Sequence, residues 1–181
     1  MPSVVNWITS QTRPDSSFHS CMVANYGKNA TIRCLKDANK ALRHIKNTQL
    51  KLKFYKMNMK SVQFICFTDA THASLKCGSS QGAYMIFLQD EHTISPIDWQ
   101  SKKLCRVTKS PLASEILALA EGADASYLIA TMLMEMFKLQ SVPKLICYTD
   151  NKSLYETVKT TNSTKDLRLR VEIAKLCQMV E

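Results

Sequence analysis

The 181 residues are 45% hydrophobic and 22% charged, with only 4 Gly and 5 Pro. That composition excludes a disordered, collagen-like or mini-protein chain and fits one or two globular domains. The richest apolar stretch, Leu117 to Phe137, is interrupted by Glu121, Asp124 and Glu135, which argues against a membrane span. The first residues lack the basic and apolar regions of a secretion signal, so an intracellular protein, cytoplasmic or nuclear, is expected. The net charge of +9 is uneven: residues 1–63 carry 11 Lys and Arg against 2 acids, while residues 64–181 carry 13 of each. Such asymmetry points to a basic surface that holds a polyanion beside a neutral body that acts on it. The 7 cysteines are scattered singly, so buried thiols are expected rather than a zinc site or a disulfide framework.

In chain order, Ser16 and Ser17 are placed to cap a short helix to about Tyr26, and Thr31 to cap a second. In the second, Ile32, Leu35, Ala38, Leu42 and Ile45 share one face, and Arg33, Lys36, Lys40, Arg43 and Lys46 occupy the rest. Leu50, Leu52 and Phe54 alternate with Lys51, Lys53 and Tyr55, the period of a half-buried strand. Residues 56–61 read as a linker. Three strand-like runs follow, Val62 to Thr68, Gly82 to Leu88 and Ile94 to Gln100, joined by turns short enough for antiparallel hairpins. Ser110-Pro111 opens a long helix to about Leu139. Leu145 to Tyr148 reads as a short buried strand, followed by helices over 152–159 and about 165–179. The expected fold class is α/β with a mixed sheet in the order β-β-β-α-β-α.

Asp69 ends the first of these strands, Asp150 follows the fourth, and Glu115 lies one turn into the long helix. If strands one and four are neighbours and the helix packs across them, the three acids meet. Carboxylates brought together repel and raise one another's pKa, and a divalent cation relieves that repulsion. Hard oxygen donors select Mg2+ or Mn2+. His72 reads chiefly as a turn residue, Trp7 and Trp99 as core anchors, and Met132, Met134 and Met136 as core filling.

From about Val62 onward the chain resembles the ribonuclease H domain of copia-type retrotransposon polyproteins. The resemblance rests on Phe67-Thr68-Asp69-Ala70, Ser79-Ser80-Gln81-Gly82, Trp99-Gln100-Ser101-Lys102-Lys103, Ser114-Glu115-Ile116-Leu117-Ala118-Leu119 and Tyr148-Thr149-Asp150-Asn151-Lys152-Ser153, in that order. Gln11-Thr12-Arg13-Pro14-Asp15 and residues 38–46 look like the end of the reverse transcriptase in such elements. The resemblance implies a connection-like segment over 1–61 and a ribonuclease H-like domain over 62–181. It implies that Asp69, Glu115 and Asp150 are metal-binding catalytic acids. Where the family often has a second Glu near the helix position, this chain has Ala113, which singles out Glu115. The family's fourth acid, an Asp in a late helix, aligns with Glu172, and Asp166 competes for the role. The chain stops at Glu181, where the family continues into a further strand, and it lacks the polymerase Tyr-x-Asp-Asp motif. A truncated piece of a polyprotein, or a gene derived from one, is therefore expected, without polymerase activity.

The implied reaction is two-metal-ion hydrolysis of the RNA strand of an RNA·DNA hybrid. In that scheme Asp69 bridges the ions, Glu115 and Asp150 complete one each, and Glu172 supports the ion holding the water. Arg33, Lys36, Lys40, Arg43, Lys46, Lys51 and Lys53 are expected to contact the nucleic-acid backbone without reading bases. The rest of a reverse transcriptase polyprotein is a further expected partner, and a membrane is not. The competing reading is an inactive nucleic-acid-binding fragment with the same fold. A 3′ exonuclease is disfavoured because position 71 is Thr rather than an acid, and an integrase-type transposase because Glu115 precedes the second Asp.

Overall fold

The computed structural model describes residues 2–26, 30–75, 78–160 and 166–180. Three helices come first: α1 (Pro2–Gln11), α2 (Ser17–Ala24) and α3 (Ile32–Asn47), with a single 3-10 turn at Pro14–Ser16 before α2. Then follow β1 (Gln63–Thr71), β2 (Gln81–Gln89), β3 (Ile94–Lys103), α4 (Pro111–Phe137), β4 (Lys144–Tyr148), α5 (Lys152–Thr160) and α6 (Leu167–Val180). The four strands form one sheet in the order β3-β2-β1-β4. The first three are antiparallel neighbours, and β4 runs parallel to β1. This is the mixed α/β sheet expected from the sequence, with its elements in the expected order.

Helix α4 crosses the sheet and organises the core. Ser110 caps it by accepting from the Ala113 N–H at 3.2 Å, with Pro111 in the first turn. Its other end closes at Lys138 in the left-handed conformation, φ +51°. The helix is apolar and long enough to cross a membrane by length and composition; here that apolar surface serves two packing clusters. One, with Ile116, Leu119 and Ala123, meets Leu154 of α5 and Leu169, Ile173 and Leu176 of α6. The other, with Ala130 and Leu133, meets Phe64 and Cys66 of β1 and Ile86 and Leu88 of β2.

Small residues let α4 approach the strands closely. A Cβ on Gly122 would stand 2.8 Å from Thr68 Cγ2, 2.9 Å from Cys66 Sγ and 3.1 Å from Tyr84 Cβ. None of these is the far end of a flexible side chain, so Gly122→Ala is expected to push α4 off β1 and cost about 1–2 kcal/mol. Urea denaturation of the two proteins at equal pH measures the difference, and an unchanged midpoint would refute the close approach.

The N-terminal helices pack on one another and, through α2, against β3. Arg13 fastens them: it is buried, holds Asp15 through two hydrogen bonds of 2.9 and 2.7 Å, and donates to the Ile45 carbonyl in the last turn of α3. That contact places a cation where the helix leaves carbonyls free. Trp99 of β3 completes the attachment by donating its indole N–H to the Thr9 carbonyl at 2.8 Å.

Several expectations are corrected here. Helix α1 has no counterpart in the sequence reading, and Trp7 on it is 67% exposed while Val5 and Thr9 are buried. Helix α3 is turned from its expected face: Cys34, Ala38 and Ala41 are buried, and Ile32 and Leu35 are exposed. Residues 48–58 form no strand. The alternation is present, but a strand needs a ladder, and the neighbouring β3 carries Pro96 and an irregularity beside it, features that interrupt an edge. The Tyr55 N–H ties the segment to β3 by donating to Ser95 Oγ at 3.1 Å. Strand β4 lies at the sheet edge and is largely exposed rather than buried. Met132 and Met136 are exposed; residues two apart on a helix cannot share one face, and the buried line runs Ser126, Ala130, Leu133 instead.

Candidate metal centre

Because β1 and β4 are parallel neighbours paired from Gln63↔Lys144 to Phe67↔Tyr148, both strands end at the same side of the sheet. Asp69 lies two residues past the last pair on β1, and Asp150 two residues past it beyond β4. Equal offsets on parallel strands bring the two carboxylates together. Helix α4, one turn past its start, adds Glu115, and one carboxylate oxygen from each of the three lies within 4.8 Å of the others. The expectation that strand one, strand four and the long helix converge their acids is met.

The three differ in environment. Asp69 and Asp150 are exposed, whereas Glu115 is buried. Burial, then the charges of Asp69 and Asp150, push the Glu115 carboxyl up to about 7, partly offset by the Ala70 backbone N–H that it accepts. Its Oε2 is buried with no hydrogen-bond partner. A buried acceptor left without a donor is costly, and here it belongs to the acid cluster itself. Three hard oxygen donors, one of them orphaned, fit a magnesium- or manganese-type ion.

The turn after β1 is bound to the start of α4 by a hydroxyl network. His72 Nδ1 lies 3.2 Å from Ser114 Oγ, 3.3 Å from Thr108 Oγ1 and 3.4 Å from Ser80 Oγ. Ser80 Oγ also accepts from the Ala73 N–H at 3.0 Å, where Ala73 has φ +49°. His72 is thus a turn residue, as the sequence suggested. Its partners, drawn from three separate segments, are positioning groups that sequence reading missed.

The structure does not bring Glu172 to the triad. It forms an ion pair with Arg106 at 2.7 Å, in a cleft shared with Glu121 and Asp124, whose own partners are Lys102 and Lys175. Asp166 stands at the start of α6, where its carbonyl accepts from the Leu169 and Arg170 N–H groups. Among the described residues, the acids gathered at metal-binding spacing are Asp69, Glu115 and Asp150.

Arg33, Lys36, Lys40, Arg43 and Lys46 all project from α3 into solvent, and Lys51 and Lys53 are exposed on the irregular segment after it. The N-terminal segment also reaches Asp69. A groove between that segment and the sheet is walled by Pro14 and Phe18 on one side and Met85 and Trp99 on the other, and it includes Asp69.

No protein-family model and no curated protein matches the chain. Among solved structures it is similar to a ribonuclease H1, LC11, isolated from compost by a metagenomic approach: 14% identity over 65% of this chain and 74% of that one, TM-score 0.43. Ribonuclease H1 of the halophilic archaeon Halobacterium salinarum is similar at 14% identity, over 65% and 78% of the two chains, TM-score 0.41. The protease–reverse transcriptase of prototype foamy virus is similar at 12% identity over 70% of this chain but only 17% of that one, TM-score 0.41.

Proposed function

We propose that the chain is a metal-dependent nuclease of the ribonuclease H type, derived from a copia-type retrotransposon polyprotein, that hydrolyses the RNA strand of RNA·DNA hybrids. The observation that carries this reading is the convergence of Asp69, Glu115 and Asp150 within 4.8 Å, reached from two parallel strand ends and a helix start. Asp69, Glu115 and Asp150 hold Mg2+ or Mn2+, which when bound supplies Lewis-acid activation of water and stabilisation of the leaving 3′ oxygen. Glu115 backs the site from its buried side, oriented by the Ala70 N–H. The exposed Asp69 and Asp150 face solvent, where a phosphodiester can approach. The His72 hydroxyl network holds the turn after Asp69 against the first turn of α4, so that Asp69 and Glu115 keep their spacing. Residues 1–61 act as the connection-like segment, with α3 contacting phosphates.

The test is incubation of the folded protein with a labelled RNA·DNA hybrid, with RNA and DNA duplexes as controls, in Mg2+, in Mn2+ and in EDTA. Metal-dependent cutting of the hybrid's RNA strand alone is expected. A protein that binds hybrid but cuts nothing would establish the inactive binding module instead, a reading favoured by the Arg106–Glu172 pair, which keeps the fourth family acid away from the triad.

The basic helix has its own expected effect. Lys40→Glu combined with Arg43→Glu is expected to weaken hybrid binding without sequence preference. Loss of two phosphate contacts lowers the slope of log affinity against log salt by about 2. Fluorescence anisotropy across a salt series reads this, and an unchanged slope would remove α3 from the binding surface.

A further inference from the structure

The parallel pairing of β1 with β4 places Cys66 opposite Cys147. Adjacent strands set such residues about 4.8 Å apart, inside the range of about 4.4–6.8 Å between Cα atoms that a disulfide spans. The shared register puts both side chains on the same face of the sheet, and the Cys66 thiol lies beneath α4, where a Cβ on Gly122 would stand 2.9 Å from its Sγ. Cys66 is fully buried, whereas Cys147, on the edge strand, is exposed. One thiol is therefore within reach of a dissolved reagent and stands across the ladder from a second that is not. We propose that Cys66 and Cys147 form a redox-active dithiol, which a low-molecular-weight disulfide such as oxidised glutathione converts to a disulfide across β1 and β4.

The step balances as thiol–disulfide exchange. The Cys147 sulfur, its proton passing to solvent, attacks one sulfur of oxidised glutathione. A Cys147–glutathione mixed disulfide forms and the first glutathione thiolate leaves. The Cys66 sulfur, likewise deprotonated, then attacks Cys147 Sγ and expels the second. Two cysteine thiols have lost two electrons and two protons, and oxidised glutathione has become two molecules of glutathione.

Cys66 and Cys147 each precede one of the cluster acids by three residues. The bond therefore ties the two acid-bearing strands together without using Asp69 or Asp150. It closes a loop of about 80 residues, a constraint that bears heavily on the unfolded chain.

The full chain is treated under native conditions with excess oxidised glutathione, quenched with acid, alkylated in denaturant and mapped by mass spectrometry. A linked Cys66–Cys147 peptide, two hydrogens lighter than its reduced parts, is expected. Its formation is accompanied by a rise in Tm, and dithiothreitol reverses both. The exposed Cys105 serves as an internal control and gains glutathione only. Cys147→Ser, a change at an exposed position, is expected to fold, to yield no linked peptide, to leave Cys66 unmodified and to show no shift in Tm. A stable glutathione adduct on Cys147 with Cys66 still alkylated would overturn the proposal, as would Cys105 modified while both paired cysteines stay reduced.

Discussion

Asp69→Asn is expected to yield a protein that folds, binds hybrid and cuts the RNA strand on the order of 10³-fold more slowly. The carboxylate is exposed and makes no contribution to either packing cluster, so its replacement by an amide of the same shape leaves the core intact. What it removes is one of three negative charges and one hard oxygen donor from the cluster. The remaining pair, Glu115 and Asp150, holds a divalent ion less tightly, and adding more Mg2+ or Mn2+ recovers little of the rate. Binding of hybrid in EDTA moves the other way, slightly tighter, because a negative charge facing the phosphates has gone. Initial cleavage rates and anisotropy in parallel separate the two effects. A variant cutting at the parental rate would remove Asp69 from the chemistry and with it the proposed function.

The sequence showed the triad because each acid sits beside a strong local signal. Asp69 and Asp150 follow apolar strand runs, and Glu115 follows the Ser110-Pro111 helix start, so topology alone brings them together. Glu172 illustrates the opposite case. The period of α6 tells that Leu169, Ile173 and Leu176 face inward, but not which loop meets the neighbouring turn. That it meets Arg106, from the segment after β3, is decided by tertiary packing. The same limit hid the face of α3. Its largest apolar residues suggested one stripe, yet the residues it buries are small ones, Cys34, Ala38 and Ala41. Helix α1 was missed because its spacing signal, Val5 with Thr9, pairs an apolar residue with a hydroxyl that satisfies itself by donating to the Asn6 carbonyl.

The orphaned Glu115 carboxyl makes the site a source of instability that depends on pH. Its folded pKa of about 7 lies above the ordinary carboxyl value of 4.5. The folded state therefore binds the proton more tightly than the unfolded state does, and this stabilisation is complete below pH 4.5 and lost as pH rises through 7. At about 1.4 kcal/mol per unit, the metal-free protein is expected to lose on the order of 2–3 kcal/mol between pH 5 and pH 8. Asp15, held below the usual carboxylate range by the Arg13 guanidinium, acts in the opposite sense but below this window. Glu115→Gln is expected to flatten the pH profile and to exceed the parent in stability at pH 8. An amide carries no charge there, so the repulsion from Asp69 and Asp150 is gone. A divalent ion competes with the proton on Glu115, so the parent's affinity rises with pH up to about 7 and then levels. At pH 8 the ion raises the parent's Tm and leaves the variant's unmoved. Chemical denaturation and Tm, each measured at pH 5 and pH 8 with and without Mn2+, test both halves. A parental pH slope retained in Glu115→Gln would show that the strain resides elsewhere.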